Sequence, residues 1–206
     1  LLIVRERRLR ITIWLRLRIF GLNRLKKSLH LLKKSNARHL QRTDIMKPLY
    51  IFDLDGTLAL IDHRRHFVEG PDKDWRSFFA ACVDDAPNMP VIRTLQALRR
   101  SGAEVWIWSG RSDEVKAQTV KWLQHHGCFG FPTDVLWAWP FGAPERFRMR
   151  KAGDYRADVL LKSDWLSEIE PPEYDRLTAV FDDRDSVVKM WRDAGVPCFQ
   201  VAPGDF

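Results

Sequence analysis

The stretch Ile51-Phe52-Asp53-Leu54-Asp55-Gly56-Thr57-Leu58 decides how this chain folds. An apolar run ends in two aspartates one residue apart, and Gly-Thr follows. With Pro48 before it and Gly56 after it, the run is expected to form a short buried strand. Side chains two apart on a strand point to the same side, so Asp53 and Asp55 should share a face at the strand's end. Paired carboxylates there suit a hard cation such as Mg²⁺, which takes oxygen ligands. One can attack as a nucleophile while its neighbour moves protons. Gly56 permits a sharp turn that brings backbone N–H groups to a phosphate. A strand closed by an ordinary Asx-type turn is the competing reading.

Two more apolar runs end in polar chemistry. Glu104-Val105-Trp106-Ile107-Trp108 runs into Ser109-Gly110-Arg111, and Thr178-Ala179-Val180-Phe181 runs into Asp182-Asp183-Arg184. Between them a helix is expected over about Ala157 to Ile169, with Asp158 and Lys162 one turn apart on one face. Asp53, Ser109, Lys162 and Asp182, taken in this order, resemble the four motifs of the haloacid dehalogenase (HAD) superfamily of phosphotransferases. The resemblance implies an α/β fold: a HAD-like, Rossmannoid parallel sheet with helices on both faces and the site beyond the carboxyl ends of the strands. It implies that Asp53 is the nucleophile and Asp55 the proton donor and acceptor. Ser109 and the N–H of Gly110 would hold phosphate oxygens, beside Thr57, and Lys162 would add a neutralising charge. The cofactor implied is Mg²⁺, on Asp53, the backbone carbonyl of Asp55, and Asp182 or Asp183; which of the last two ligates stays open.

A narrower resemblance rests on the runs Asp182-Asp183-Arg184-Asp185-Ser186-Val187-Val188-Lys189-Met190-Trp191-Arg192 and Val196-Pro197-Cys198-Phe199-Gln200-Val201-Ala202-Pro203-Gly204-Asp205-Phe206. Both are similar to the phosphatase domain of phage polynucleotide kinase/phosphatase. So is Gly153-Asp154-Tyr155-Arg156-Ala157-Asp158, because in that family an Asp precedes the third-motif Lys by four residues. Arg64, nine residues after Asp55, stands where that family carries a functional arginine, although Arg65 is adjacent. No Gly-x-x-x-x-Gly-Lys-Ser/Thr loop occurs in the sequence, so the resemblance implies 3′-phosphatase and not 5′-kinase chemistry. The implied substrates are 3′-phosphate ends of DNA or RNA, as in end repair. Nucleotides or other small phosphomonoesters are the alternative, and a non-catalytic nucleic-acid-binding protein is a third reading. Arg111 and Arg184 are expected either to clamp phosphate or to form surface salt bridges. Arg64, Arg148, Arg150 and Arg156 either track a nucleic-acid backbone or are solvated charges.

The formal charge of +7 misleads about where a polyanion would bind. Residues 1–45 hold 13 Lys/Arg against two acids, Glu6 and Asp44; the remainder holds 21 against 25. The catalytic part, residues 46–206, is therefore mildly acidic, and contacts to polynucleotide there must come from local side chains. Four readings of residues 1–45 compete: an amphipathic basic helix for membrane or nucleic acid, a transit-type peptide, a structural arm, or sequence upstream of a true start at Met46. The last is preferred, since Met46-Lys47-Pro48 directly precedes the first strand and the sequence begins with Leu1. A chain beginning at Met46 is then expected to keep full stability and activity. No apolar run approaches the roughly 20 residues of a membrane span. Cys82, Cys128 and Cys198 have no metal-ligand spacing and are expected to be buried free thiols, which fits a reducing cytoplasm.

Further strands are expected at Val135–Trp139 and Cys198–Val201, with a loop over Pro140–Gly153. Only 55 residues lie between Asp53 and Ser109, which leaves room for a small cap insertion, roughly Asp74–Val83. Trp122, Trp165 and Trp191 are expected in the core, with Trp75 as the candidate for base stacking. His63 and His66 have no acidic or thiol partner at ligand spacing and are expected to be exposed or to face substrate.

Overall fold

A computed structural model describes residues 47–129 and 146–204. The chain divides into two units, Leu1–Met46 and Lys47–Phe206, and all described residues belong to the second. The basic segment and the expected strand Val135–Trp139 lie outside the described residues.

Among the described residues the main sheet has five parallel strands in the order β5-β4-β1-β6-β7. These are β1 (Leu49–Phe52), β4 (Glu104–Ser112), β5 (Phe147–Arg150), β6 (Leu177–Asp182) and β7 (Cys198–Gln200). A two-stranded ribbon, β2 (Ala59–Leu60) with β3 (Ala86–Pro87), belongs to the insertion after β1. The helices are α1 (Asp62–Arg65), α2 (Trp75–Ala80), α3 (Met89–Arg100), α4 (Lys116–His125), α5 (Asp158–Ser167), α6 (Pro171–Tyr174) and α7 (Asp185–Asp193).

Alternation along the strands divides the core between the sheet's two faces. Phe52, Val105 and Ile107 join Ile92 and Leu95 of α3 and Trp122 and Leu123 of α4 on one face. Leu49, Ile51, Trp106, Trp108 and Val180 join Val187, Val188 and Trp191 of α7 on the other. Both faces of β1 are thus covered, as parallel sheets require. Trp122 and Trp191 are core residues, and Trp165 packs edge-on to Trp108 at 5.7 Å between ring centroids.

One boundary is corrected. Phe147–Arg150 is not loop but β5, paired with β4 from Ile107↔Phe147 onward. Among the described residues it is an edge strand: Phe147 turns into the core, while the Arg148 guanidinium lies over the Trp108 ring and pairs with Glu168. A guanidinium can lie over an aromatic face and keep its ion pair, so an Arg-bearing strand can still cover the core.

Candidate active site

β1 lies at the centre of the sheet and delivers Asp53 one residue beyond its end, beside Asp182 at the end of β6. Lys162, on the second turn of α5, projects between them. Its Nζ donates to Asp53 Oδ1 at 2.6 Å and to Asp182 Oδ2 at 2.7 Å. Ligand oxygens of Asp53, Asp182 and Asp183 all lie within 4.8 Å of one another, and all three residues are buried. One ammonium faces three carboxylates. Burial first, then Asp182 and Asp183, raise the Asp53 carboxyl well above its ordinary range, against the pull of Lys162. Burial and the Asp182 charge push Asp183 up to about 6. A buried set of hard oxygen donors with excess negative charge fits a divalent cation such as Mg²⁺.

Gly56 makes that approach possible. Its φ of +88° suits glycine, and a Cβ there would sit 2.0 Å from Asp183 Oδ2. Thr57 donates its hydroxyl to Asp183 Oδ1 at 3.4 Å, so it braces the acidic cluster. Gln200 Nε2 donates to the Asp183 carbonyl at 2.8 Å and ties β7 to the same corner.

The Asp55 carboxylate lies outside the acidic cluster, and only its backbone carbonyl remains available for a metal role. Arg64 Nη2 donates to Asp55 Oδ1 at 2.7 Å, and Arg111 donates through Nε at 3.2 Å and also through Nη2. Burial alone would raise the Asp55 carboxyl, but Arg111 and Arg64 together bring it down to about 2. Both guanidiniums are buried, which corrects the readings of Arg64 as a solvated charge and of Arg111 as a surface ion pair.

Behind them stands Asp85, a functional candidate that the motifs did not reveal. It accepts from Arg64 Nε at 2.6 Å, Arg64 Nη2 at 2.8 Å and Arg111 Nη2 at 2.7 Å. Its backbone carbonyl accepts from Trp122 Nε1 at 2.8 Å, so the insertion is tied to α4. Two aspartates and two arginines form a closed, charge-balanced block. The available signal was a second aspartate pair, Asp84-Asp85, just past the expected cap Asp74–Val83 and before Pro87.

On the other side, Ser109 is buried, and its Oγ accepts from the Arg111 N–H at 3.1 Å. The Asp158 carboxylate packs closely on Gly110: a Cβ there would lie 2.5 Å from Asp158 Oδ1. Asp158 does not bond Lys162; it pairs with Arg150 and, at 3.0 Å, with Arg184 Nη1. Arg150 Nε donates to the Gly110 carbonyl at 2.7 Å. Arg156 points away into exposed pairs with Asp154 and Asp164, so the structure does not bring it to the site. His63 is partly exposed, its Nε2 3.3 Å from the Ala81 carbonyl and 3.7 Å from Asp85.

A family model described as the polynucleotide kinase PNKP phosphatase domain matches residues 47–206. A protein of Autographa californica nuclear polyhedrosis virus, named as a candidate bifunctional polynucleotide kinase/RNA ligase, is 28% identical over 146 residues, covering 70% of this chain and 18% of that protein. A chain of the Pnkp1/Rnl/Hen1 RNA repair complex superposes with a TM-score of 0.60 at 29% identity, over 78% of this chain and 44% of that one. The chain thus spans less than half of either relative. A class C acid phosphatase from Bacillus anthracis, 15% identical with a TM-score of 0.51 over 78% of this chain and 67% of that one, shares the fold. With the family match running through every strand and every residue of this site, the chain belongs to the polynucleotide kinase PNKP phosphatase-domain family and is a HAD-type phosphatase.

Proposed function

We propose that this chain is a Mg²⁺-dependent phosphomonoesterase that removes 3′-phosphate from polynucleotide ends in nucleic-acid repair. The observation that carries the chemistry is the buried Asp53–Lys162–Asp182–Asp183 cluster beside an Asp55 held by two arginines. The family match and the polynucleotide kinase and RNA repair relatives support the substrate class. A short insertion over the site, with no helix longer than α2, favours a polymer end by analogy with other open HAD sites.

Asp53 attacks phosphorus through a carboxylate oxygen, and the bond to the ribose 3′-oxygen breaks. Lys162 orients the attacking carboxylate and offsets phosphate charge. Ser109 and the Gly110 N–H receive phosphate oxygens. Mg²⁺, held by Asp53 and by Asp182 or Asp183, would neutralise further charge as the phosphoryl group transfers. Asp55 gives its proton to the leaving 3′-hydroxyl, then takes one from the water that hydrolyses the aspartyl-phosphate. The negative charge of a phosphate seated beside Asp55 would raise that carboxyl by like-charge repulsion, towards the protonated state the first step needs.

The test compares turnover of a 3′-phosphorylated oligonucleotide with that of 3′-mononucleotides, with Mg²⁺ present. The oligonucleotide should be hydrolysed with the higher kcat/KM. Equal or better turnover of mononucleotides would refute the polynucleotide assignment.

A further inference from the structure

Tyr155 is 87% exposed, the most exposed of the large apolar side chains in the described residues. Isolated exposed apolar residues are ordinary. This one differs because its backbone is tied down on both sides. Arg150 Nη1 donates to the carbonyls of Asp154, at 3.1 Å, and Arg156, at 2.6 Å, which flank it. The Arg156 N–H donates to Asp154 Oδ1 at 3.0 Å, and the Ala152 N–H donates to Asp113 Oδ1 at 2.9 Å.

The guanidinium that grips this loop is the one that bonds the Gly110 carbonyl and Asp158. Tyr155 and the phosphate-binding turn are therefore joined through a single side chain, which puts their backbones within about 10 Å of each other. That is one nucleotide's reach. Two of the basic side chains near it are already engaged, Arg150 with Gly110 and Asp158, and Arg156 with Asp154 and Asp164; Lys151 is exposed at the start of the loop. Beside Lys151, the large side chain this loop presents to solvent is an aromatic ring. Tyrosine offers a flat, amphipathic surface at low cost in side-chain entropy. A nucleobase of any identity can stack on such a ring.

We propose that Tyr155 is a specificity-determining residue, a stacking platform for the base of the nucleotide that carries the 3′-phosphate; this rests on the polynucleotide reading above. Its contribution is to substrate capture and discrimination, not to the chemical step. Stacking involves no counterion release, so it should persist at salt concentrations that weaken phosphate contacts.

The experiment measures KM and kcat of the full chain and of Tyr155→Ala, Tyr155→Phe and Tyr155→Trp. Two substrates are used: an oligonucleotide with a base-bearing 3′-phosphorylated end, and the same oligonucleotide with an abasic 3′-phosphorylated end. Tyr155→Ala should raise KM on the base-bearing end by about 5- to 150-fold, the range for loss of one stacked base, with kcat unchanged. It should leave KM on the abasic end unchanged, and Tyr155→Phe and Tyr155→Trp should retain low KM. A Tyr155→Ala protein that matches wild type on the base-bearing end overturns the inference, as does an equal loss on both substrates. If wild type hydrolyses mononucleotides as well as either oligonucleotide, the parent reading fails and this one with it. If wild type prefers oligonucleotides but does not distinguish abasic from base-bearing ends, this inference alone fails.

Discussion

Asp85→Asn tests the buried block most directly. The Asp85 side chain is fully buried and accepts three charge-assisted hydrogen bonds from Arg64 and Arg111, both also fully buried. The amide has nearly the same shape but lacks the charge, and it presents an NH₂ group to guanidinium donors. Two arginines would then share the single carboxylate of Asp55. Removing one partner of a buried ion pair costs about 3–5 kcal/mol, because the remaining charge stays buried and uncompensated. For a domain of this size each kcal/mol lowers Tm by about 2–4 °C, so the fall should be about 6–20 °C. Urea titration of the full chain would measure the change from the midpoint, with the slope unchanged if the folded and unfolded surfaces are unchanged. Asp84→Asn is the control: its neighbour is exposed and should shift stability by no more than about 0.5 kcal/mol. Phosphatase activity of Asp85→Asn should also fall, since Arg64 and Arg111 lose their anchor on the side away from Asp55. A loss of less than about 1 kcal/mol would refute the claim that Asp85 closes the block.

Asp53→Asn should abolish turnover, because an amide cannot form the phospho-enzyme, yet leave Tm unchanged or higher, since one charge leaves a crowded acidic cluster. Substantial hydrolysis by the folded variant would remove Asp53 from the nucleophile role. Asp183 holds its proton more tightly when folded, up to about 6 against an ordinary 3.8, so the stability it contributes is fully present below 3.8 and is lost as pH rises through about 6. Mg²⁺ should therefore raise Tm clearly at about pH 7.5 and little at about pH 5, as seen by calorimetry; an equal rise at both would show that cation and proton do not compete there. Gly110→Ala would place a Cβ 2.5 Å from Asp158 Oδ1 and should raise KM for phosphate esters by displacing the Asp158–Arg150 pair. Unchanged kinetics would show that this corner yields without consequence.

Much of the site was legible because parallel-sheet chemistry writes itself at strand ends. Asp53, Ser109 and Asp182 each follow an apolar run, and Lys162 sits in the helix between the second and third. The structure brings Asp53, Lys162, Asp182 and Asp183 together as the motifs suggest. Asp85 was not legible because it stands in a short turn of the insertion, where no periodicity marks an inward side chain. Its burial depends on Arg64 and Arg111, which are 21 and 26 residues away in sequence. Arg64 was ambiguous for a related reason. A charged residue beside Arg65 on a four-residue helix looks solvated until its carboxylate partners are known. β5 was missed because Arg148 and Arg150 break the apolar pattern; their guanidiniums lie over the Trp108 ring and on the Gly110 carbonyl, which only the tertiary fold reveals.

The three strands that end in catalytic candidates are neighbours: β1 pairs with β4 on one side and with β6 on the other. Backbone amides in such a central strand exchange with solvent only when the whole sheet opens. Asp53 and Asp182 are thus mounted on strands expected to exchange slowest, whereas the insertion carrying Asp85 rests on a two-stranded ribbon and short helices. Hydrogen exchange should then show two tiers, with Asp53 fixed to the rigid tier and the arginine-holding block depending on the softer one. Slow losses of activity on storage or mild heating should begin in the insertion, with the geometry around Asp53 surviving until the sheet itself is lost.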